Sequence, residues 1–234
     1  MDEWYSIAGF NDPMSSISHL AGTAIFFVLS IFMLWSARRS KVAFFYCLQF
    51  AFTTLLLLSM SFVYHMMGRE WVARQVMLRL DVAAIFLMIA STFTAVHGLL
   101  FRDWRRWVII TLLWSITIPA IVVRAVFFDQ IPRFVGSMIF LVIGWIGGYS
   151  AFLVWKEWGL KAVVPMFLGG VLYSIGALTN AFEWPVLIDM VWGPHETFHL
   201  LVLGGLAMHW YYVWCLADGS FHRKFRPRIE LASS

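Results

Sequence analysis

The chain has 234 residues, of which 61% are hydrophobic and only 13% charged, with a formal net charge of +4. Soluble domains carry roughly 45–50% apolar and ~25% charged residues. A soluble globule cannot hide this much apolar surface, and a disordered chain needs low hydrophobicity. Mean hydropathy is +0.78 and the pI about 9.3; in a chain whose solvent is lipid, a basic excess belongs in cytoplasmic loops and does not imply nucleic acid.

The N-terminus, Met1-Asp2-Glu3-Trp4-Tyr5, is acidic. A cleaved signal peptide needs a basic start, so the first apolar run is expected to be retained. Seven continuous apolar stretches then follow, over about 17–36, 42–65, 80–101, 107–127, 133–155, 162–183 and 195–216. Most exceed the roughly 18 residues of a spanning candidate. None shows the alternation of a membrane β-barrel strand. The expectation is all-α: one bundle of seven transmembrane helices over 1–234, with a basic tail at 217–234. Cys47 and Cys215 lie inside apolar runs, which argues against a disulfide framework or a cysteine metal site. Gly147-Gly148 and Gly169-Gly170 fall in the fifth and sixth runs and are read as close packing contacts.

Positive charge divides unevenly between the two sets of connections. One set holds Arg38, Arg39, Lys41, Arg102, Arg105, Arg106, Lys156, Lys161, Arg223, Lys224, Arg226 and Arg228; the other holds Arg69, Arg74, Arg79 and Arg133. Twelve against four predicts a cytoplasmic C-terminus and an outside N-terminus. The C-terminal cluster also suits anionic lipid head groups on that same side.

Ionisable residues within a bilayer are expensive and mark functional sites. Alternation of the runs brings Asp12, His19, Ser61, His65, Asp81, Glu183, His195, Glu196 and His199 to one membrane face. His97, His209 and His222 fall elsewhere and read as ordinary interfacial or hydrogen-bonded histidines. His195 and His199 are four residues apart, so both rings occupy one helix face and can chelate one ion. His65 supplies a third imidazole at the same depth, the ligand number of a catalytic zinc. Asp81, expected to open the third helix, can take the proton of a metal-activated water, and Ser61 can hydrogen-bond that water or a substrate oxygen. Their ordinary alternatives are pairing of Asp81 with Arg79 and bonding of Ser61 to its own helix. His195-Glu196-Thr197-Phe198-His199 also matches the letters of the soluble zinc-protease motif, with Glu196 as base. Helix geometry instead sets Glu196 about 100° around from His195.

The strings Ser18-His19-Leu20-Ala21-Gly22, Ser61-Phe62-Val63-Tyr64-His65, Arg79-Leu80-Asp81, Gly169-Gly170-Val171-Leu172-Tyr173-Ser174-Ile175-Gly176 and His195-Glu196-Thr197-Phe198-His199-Leu200-Leu201-Val202 cover the chain from about 12 to 212. Together they resemble the hemolysin III branch of the PAQR (progestin and adipoQ receptor) family, in the superfamily that also holds alkaline ceramidases. The resemblance implies seven membrane helices with Zn2+ held by His65, His195 and His199, and with Ser61 and Asp81 beside the metal's water. Relatives with demonstrated chemistry hydrolyse the amide of ceramide-like lipids. The usual Asp-His at the start of the third helix is Asp81-Val82 here. Family receptors are drawn with a cytoplasmic N-terminus, whereas the charge count places it outside. Short termini are in keeping with a bacterial inner-membrane member.

Three functions are therefore expected to compete: a zinc-dependent hydrolase of an amide-linked membrane lipid, a pore-forming or membrane-perturbing hemolysin with structural zinc, and a sensor of lipid or membrane state. The helix centres are mostly Leu, Ile, Val and Phe, which argues against an open channel.

Overall fold

The structure, a computed structural model, describes residues 10–189 and 191–225. The expected acidic start (residues 1–5), and Arg226 and Arg228 of the basic tail, lie outside the described residues. Seven crossings are long and apolar enough to span a bilayer. They are α1 (Pro13–Ala37), α2 (Lys41–Met66), α3 (Val72–Leu100), α4 (Trp104–Val126), the pair α5 (Arg133–Trp145) and α6 (Gly147–Trp158), α7 (Leu160–Phe182) and α8 (Pro194–Ala217). A short α9 (Ser220–Lys224) follows. The protein is an integral membrane bundle of helices.

The helix ends use local chemistry. Pro13 and Pro194 occupy first-turn positions, where a missing N–H costs nothing. The Ser40 hydroxyl accepts from Ala43 N at 3.3 Å, and Asp103 Oδ1 accepts from Arg105 N at 3.0 Å. Within the spans, hydroxyls fold back onto their own carbonyls, as Ser30 does to Phe26 O at 2.6 Å and Thr94 to Ala90 O at 2.7 Å. No water is available there to satisfy them otherwise.

Packing inverts the soluble pattern. Phe27, Ile31, Trp35, Phe45 and Phe52 are exposed, while Ser15, Ser61, His65, His97 and His199 are buried. α8 sits at the centre, touching α1, α2, α3 and α7. Its Trp210 ring lies 5.0 Å from Phe26 and 5.2 Å from Phe50. Polar contacts join α2 to α3, where the Gln49 amide donates to Ser91 Oγ at 2.9 Å.

Three details differ from the sequence reading. α3 begins at Val72 rather than near 80, so Asp81 lies in its third turn instead of opening it. Arg74 and Arg79 made this stretch look like loop. Both are satisfied within the fold: Arg74 by Tyr64 O, Met67 O and the distant Asp12, Arg79 by Asp129 at 3.1 Å. Asp81 is thus not paired with Arg79. The fifth crossing is interrupted at Ile146. Finally, the tail starts with packed structure, because Phe221 is fully buried beside Trp158 and Tyr212, with ring centroids 5.8 and 5.5 Å away.

Only one member of each glycine pair is a tight contact. A Cβ on Gly147 would sit 2.7 Å from the Phe93 ring, and one on Gly169 would sit 2.5 Å from His209 and 3.1 Å from the Gly205 carbonyl. Gly148 and Gly170 make no such close contact: both line a cavity, as Gly147 also does, and a Cβ on Gly170 would meet nothing within 4 Å. Gly169→Ala is therefore expected to destabilise the α7–α8 crossing by about 1–3 kcal/mol through overpacking. Gly170→Ala is expected to be neutral or stabilising. Thermal unfolding of the two variants in detergent checks the pair.

Candidate metal centre

Three histidines meet where α2 ends and α8 begins. His195 Nε2 lies 3.1 Å from His65 Nε2 and 3.1 Å from His199 Nε2. One ligand atom from each lies within 4.8 Å of the others. His65 and His199 are buried and His195 half-buried.

The next layer of contacts decides what these nitrogens present to one another. Asp12, one residue before α1, has its carboxylate Oδ2 3.1 Å from His65 Nδ1. A carboxylate only accepts, so Nδ1 carries the proton and Nε2 a lone pair. Asn180 Oδ1, in the last turn of α7, likewise accepts from His195 Nδ1 at 3.0 Å. The Nε2 atoms of His65 and His195 therefore face each other as lone pairs, and lone pairs 3.1 Å apart repel unless a cation lies between them. Metal–nitrogen bonds of ~2.0–2.1 Å in a tetrahedral site put nitrogens about 3.3 Å apart, close to the spacing of His195 Nε2 from each of the other two. The donor set fits a metal ion, and Asp12 and Asn180 orient it as carboxylates and carbonyls orient ligating histidines generally.

Asp12 is itself held firmly. Its carboxylate accepts from Arg74 Nη2 at 2.6 Å, and Arg69 lies 3.6 Å away. Its amide donates to His65 O at 3.0 Å, which latches the start of α1 to the end of α2. Burial pushes the Asp12 carboxyl up, but the hydrogen bonds from His65 and Arg74 and the Arg74 charge outweigh it and hold the group well below the usual carboxylate range.

The remaining expected residues take definite places. Ser61 is buried on α2 one turn before His65, with its side chain against the Asp81 carboxylate of α3. Both line one largely apolar cavity of about 180 Å³, together with His19, His199, Tyr173 and Phe198. The His19 ring stacks on His199 with centroids 3.9 Å apart and planes 25° from parallel. Glu196 is engaged elsewhere: Oε2 accepts from Gly193 N at 2.9 Å, capping α8, and Oε1 accepts from Ser15 Oγ at 3.0 Å. A zinc-protease base has no place in that arrangement. Glu183 is exposed, with a left-handed backbone (φ 52°) that ends α7. His97 bonds Ser150 at 2.7 Å and His209 bonds Met166 O at 3.0 Å, both away from the triad.

The sequence places Asp12 and His19 on this face without a role for either, and marks Arg74 only as a loop charge and Asn180 not at all. Asn180, a lone amide ending an apolar run at the same depth, was the available signal.

An apolar-sided bundle of seven crossings with three converging imidazoles beside a membrane-embedded cavity defines a class of integral membrane protein with a candidate metal centre. Residues 8–210 match the family model described as Haemolysin-III related, and the chain belongs to that family. It is 27% identical over 136 residues to Hemolysin-3 of Bacillus cereus, covering 57% of this chain and 58% of that protein. It is 25% identical over 130 residues to the Hemolysin-3 homolog of Bacillus subtilis (strain 168), covering 55% and 57%. The match thus spans a little over half the length of each relative.

Asp12→Ala is expected to weaken metal binding roughly 10–100-fold, the usual cost of losing such an orienting partner, while leaving the three ligands in place. Competition against a graded chelator series, with Asn180→Leu as a second variant, measures it.

Proposed function

We propose that this chain is a zinc-dependent hydrolase of an amide-linked membrane lipid of the ceramide-like class. The observation that carries the reading is that Ser61, Asp81 and the candidate ligand His199 share the wall of one apolar cavity. Three neutral imidazoles suit zinc, with a fourth position left for water or substrate. Bound there, zinc would polarise a carbonyl and lower the pKa of a water toward ~7.

The chain's own groups complete the chemistry. The Asp81 carboxylate takes the proton of the attacking water and returns it to the nitrogen of the breaking C–N bond, so that amide plus water gives acid plus amine. The Ser61 hydroxyl donates its one proton to that carboxylate and holds it in place. The apolar remainder of the cavity, including Met88, Ile89, Phe140 and Val202, accommodates acyl chain and excludes bulk water.

Orientation and location belong to the same reading. The basic connections Arg38–Lys41, Arg102–Arg106 and Lys156–Lys161, and Arg223 with Lys224, fall on the face opposite the histidines. By the positive-inside rule that face is cytoplasmic, and the triad then opens outward from a bacterial inner membrane. A second reading, membrane perturbation with structural metal, draws on the relatives' printed name, hemolysin.

Purified protein is expected to hold about one zinc per chain and to lose it in His195→Ala and His199→Ala. Zinc retained in both would reject the ligand assignment. Asp81→Asn is expected to keep the metal yet release fatty acid from an amide-linked lipid panel roughly 10²–10⁴-fold more slowly. Equal turnover in that variant removes Asp81 from the reaction, and liposome leakage that survives metal removal favours the second reading.

A further inference from the structure

The connection between α7 and α8 is unusually apolar for a loop. Trp184, Val186, Leu187 and Ile188 are 72%, 57%, 61% and 57% exposed. Such a patch on a soluble surface marks an interaction site. Here it joins the ends of two membrane crossings, on the face where the candidate metal centre lies, with Trp192 three residues before His195.

The backbone of this connection is folded back on itself. Leu187 N and Ile188 N both donate to Trp192 O, at 3.0 and 3.1 Å, while Val191 N and Trp192 N donate to Ile188 O, at 3.1 and 2.8 Å. Trp184 N reaches Thr179 O at 3.2 Å, and Gly193 N reaches Glu196. The Leu187, Ile188, Val191 and Trp192 amides are thus paired within the turn, and amides so paired can leave water without being stranded, a condition for entering an apolar environment. Tryptophan flanks the turn on both sides, and this residue concentrates where hydrocarbon meets head groups. From residue 162 to residue 222 there is no Lys or Arg, so nothing in the hairpin selects anionic lipid.

We propose that this hairpin is an interfacial finger, whose Trp184, Val186, Leu187 and Ile188 side chains sit in the surface layer of the protein's own bilayer, among neutral lipids. Its occupant is lipid rather than a second copy of the chain, because the apolar side chains are carried past the helix ends on a turn whose Leu187, Ile188, Val191 and Trp192 amides are already paired within it. The finger anchors the rim of the cavity wall built by α7 and α8, and it does so whether or not a metal is bound.

Spin labels at Leu187→Cys and Ile188→Cys, in phosphatidylcholine nanodiscs, test this by comparing collisions with oxygen and with a water-soluble nickel chelate. Cys47 and Cys215 are buried, and labelling of the parent sets the background. Phe27→Cys, on the exposed face of α1, and Glu70→Cys, in the exposed α2–α3 loop, supply the lipid and aqueous references. The expected result is preference for oxygen at 187 and 188, with the sign of Phe27, unchanged when anionic lipid is added. Preference for nickel at both sites, as at Glu70, overturns the proposal. Spin–spin broadening that vanishes on dilution with unlabelled protein also overturns it, in favour of a second copy as the occupant.

Discussion

Everything in this molecule depends on how three imidazoles are held with their Nε2 atoms together inside a lipid-facing bundle. Such nitrogens are costly to bury and cannot be left to find water. Asp12 accepts the hydrogen bond of His65 Nδ1, and Asn180 Oδ1 that of His195 Nδ1, so the outer nitrogens of these two rings are spent on protein. What remains is a convergence of Nε2 atoms, with His195 3.1 Å from each of the other two, that could hold a cation. The same contacts brace the fold. Asp12 ties α1 to α2 twice, and Asn180 ties α7 to α8.

The bundle separates its tasks by depth and by face. One face gathers the histidines, Asp81 and the cavity; the other carries most of the positive charge. Between them the helices meet through small residues and hydroxyls. Gly169 lets α7 approach α8 at a distance that no side chain would permit, while its neighbour Gly170 leaves open the space that Ser61 and Asp81 look into. Packing and cavity are thus neighbouring consequences of one sequence pair. Glu196 shows the reverse economy: a residue that spells a protease motif is consumed as a helix cap, because the first amides of α8 have no carbonyl behind them.

The seven crossings and their all-α character were legible from residue order alone. In lipid, an uninterrupted apolar run of some twenty residues has almost no other way to satisfy its backbone. The triad was nearly as legible. His195 and His199 share a helix face by periodicity, and His65 shares their depth by counting crossings. Boundaries near charge were not: Arg74 and Arg79 disguised two turns of α3, since nothing local reveals that Arg74 folds back to Asp12.

By itself, then, the sequence determined which segments enter the membrane and which ionisable groups share a level, because hydropathy and helical period are local properties. Only the tertiary structure decided the rest. It put Asp12, 53 residues from His65, against that ring, gave Asn180 to His195, stacked His19 on His199 and turned Glu196 away. Those outcomes depend on helix rotation and crossing geometry, which are settled by packing between distant segments and leave no mark on any single stretch of chain.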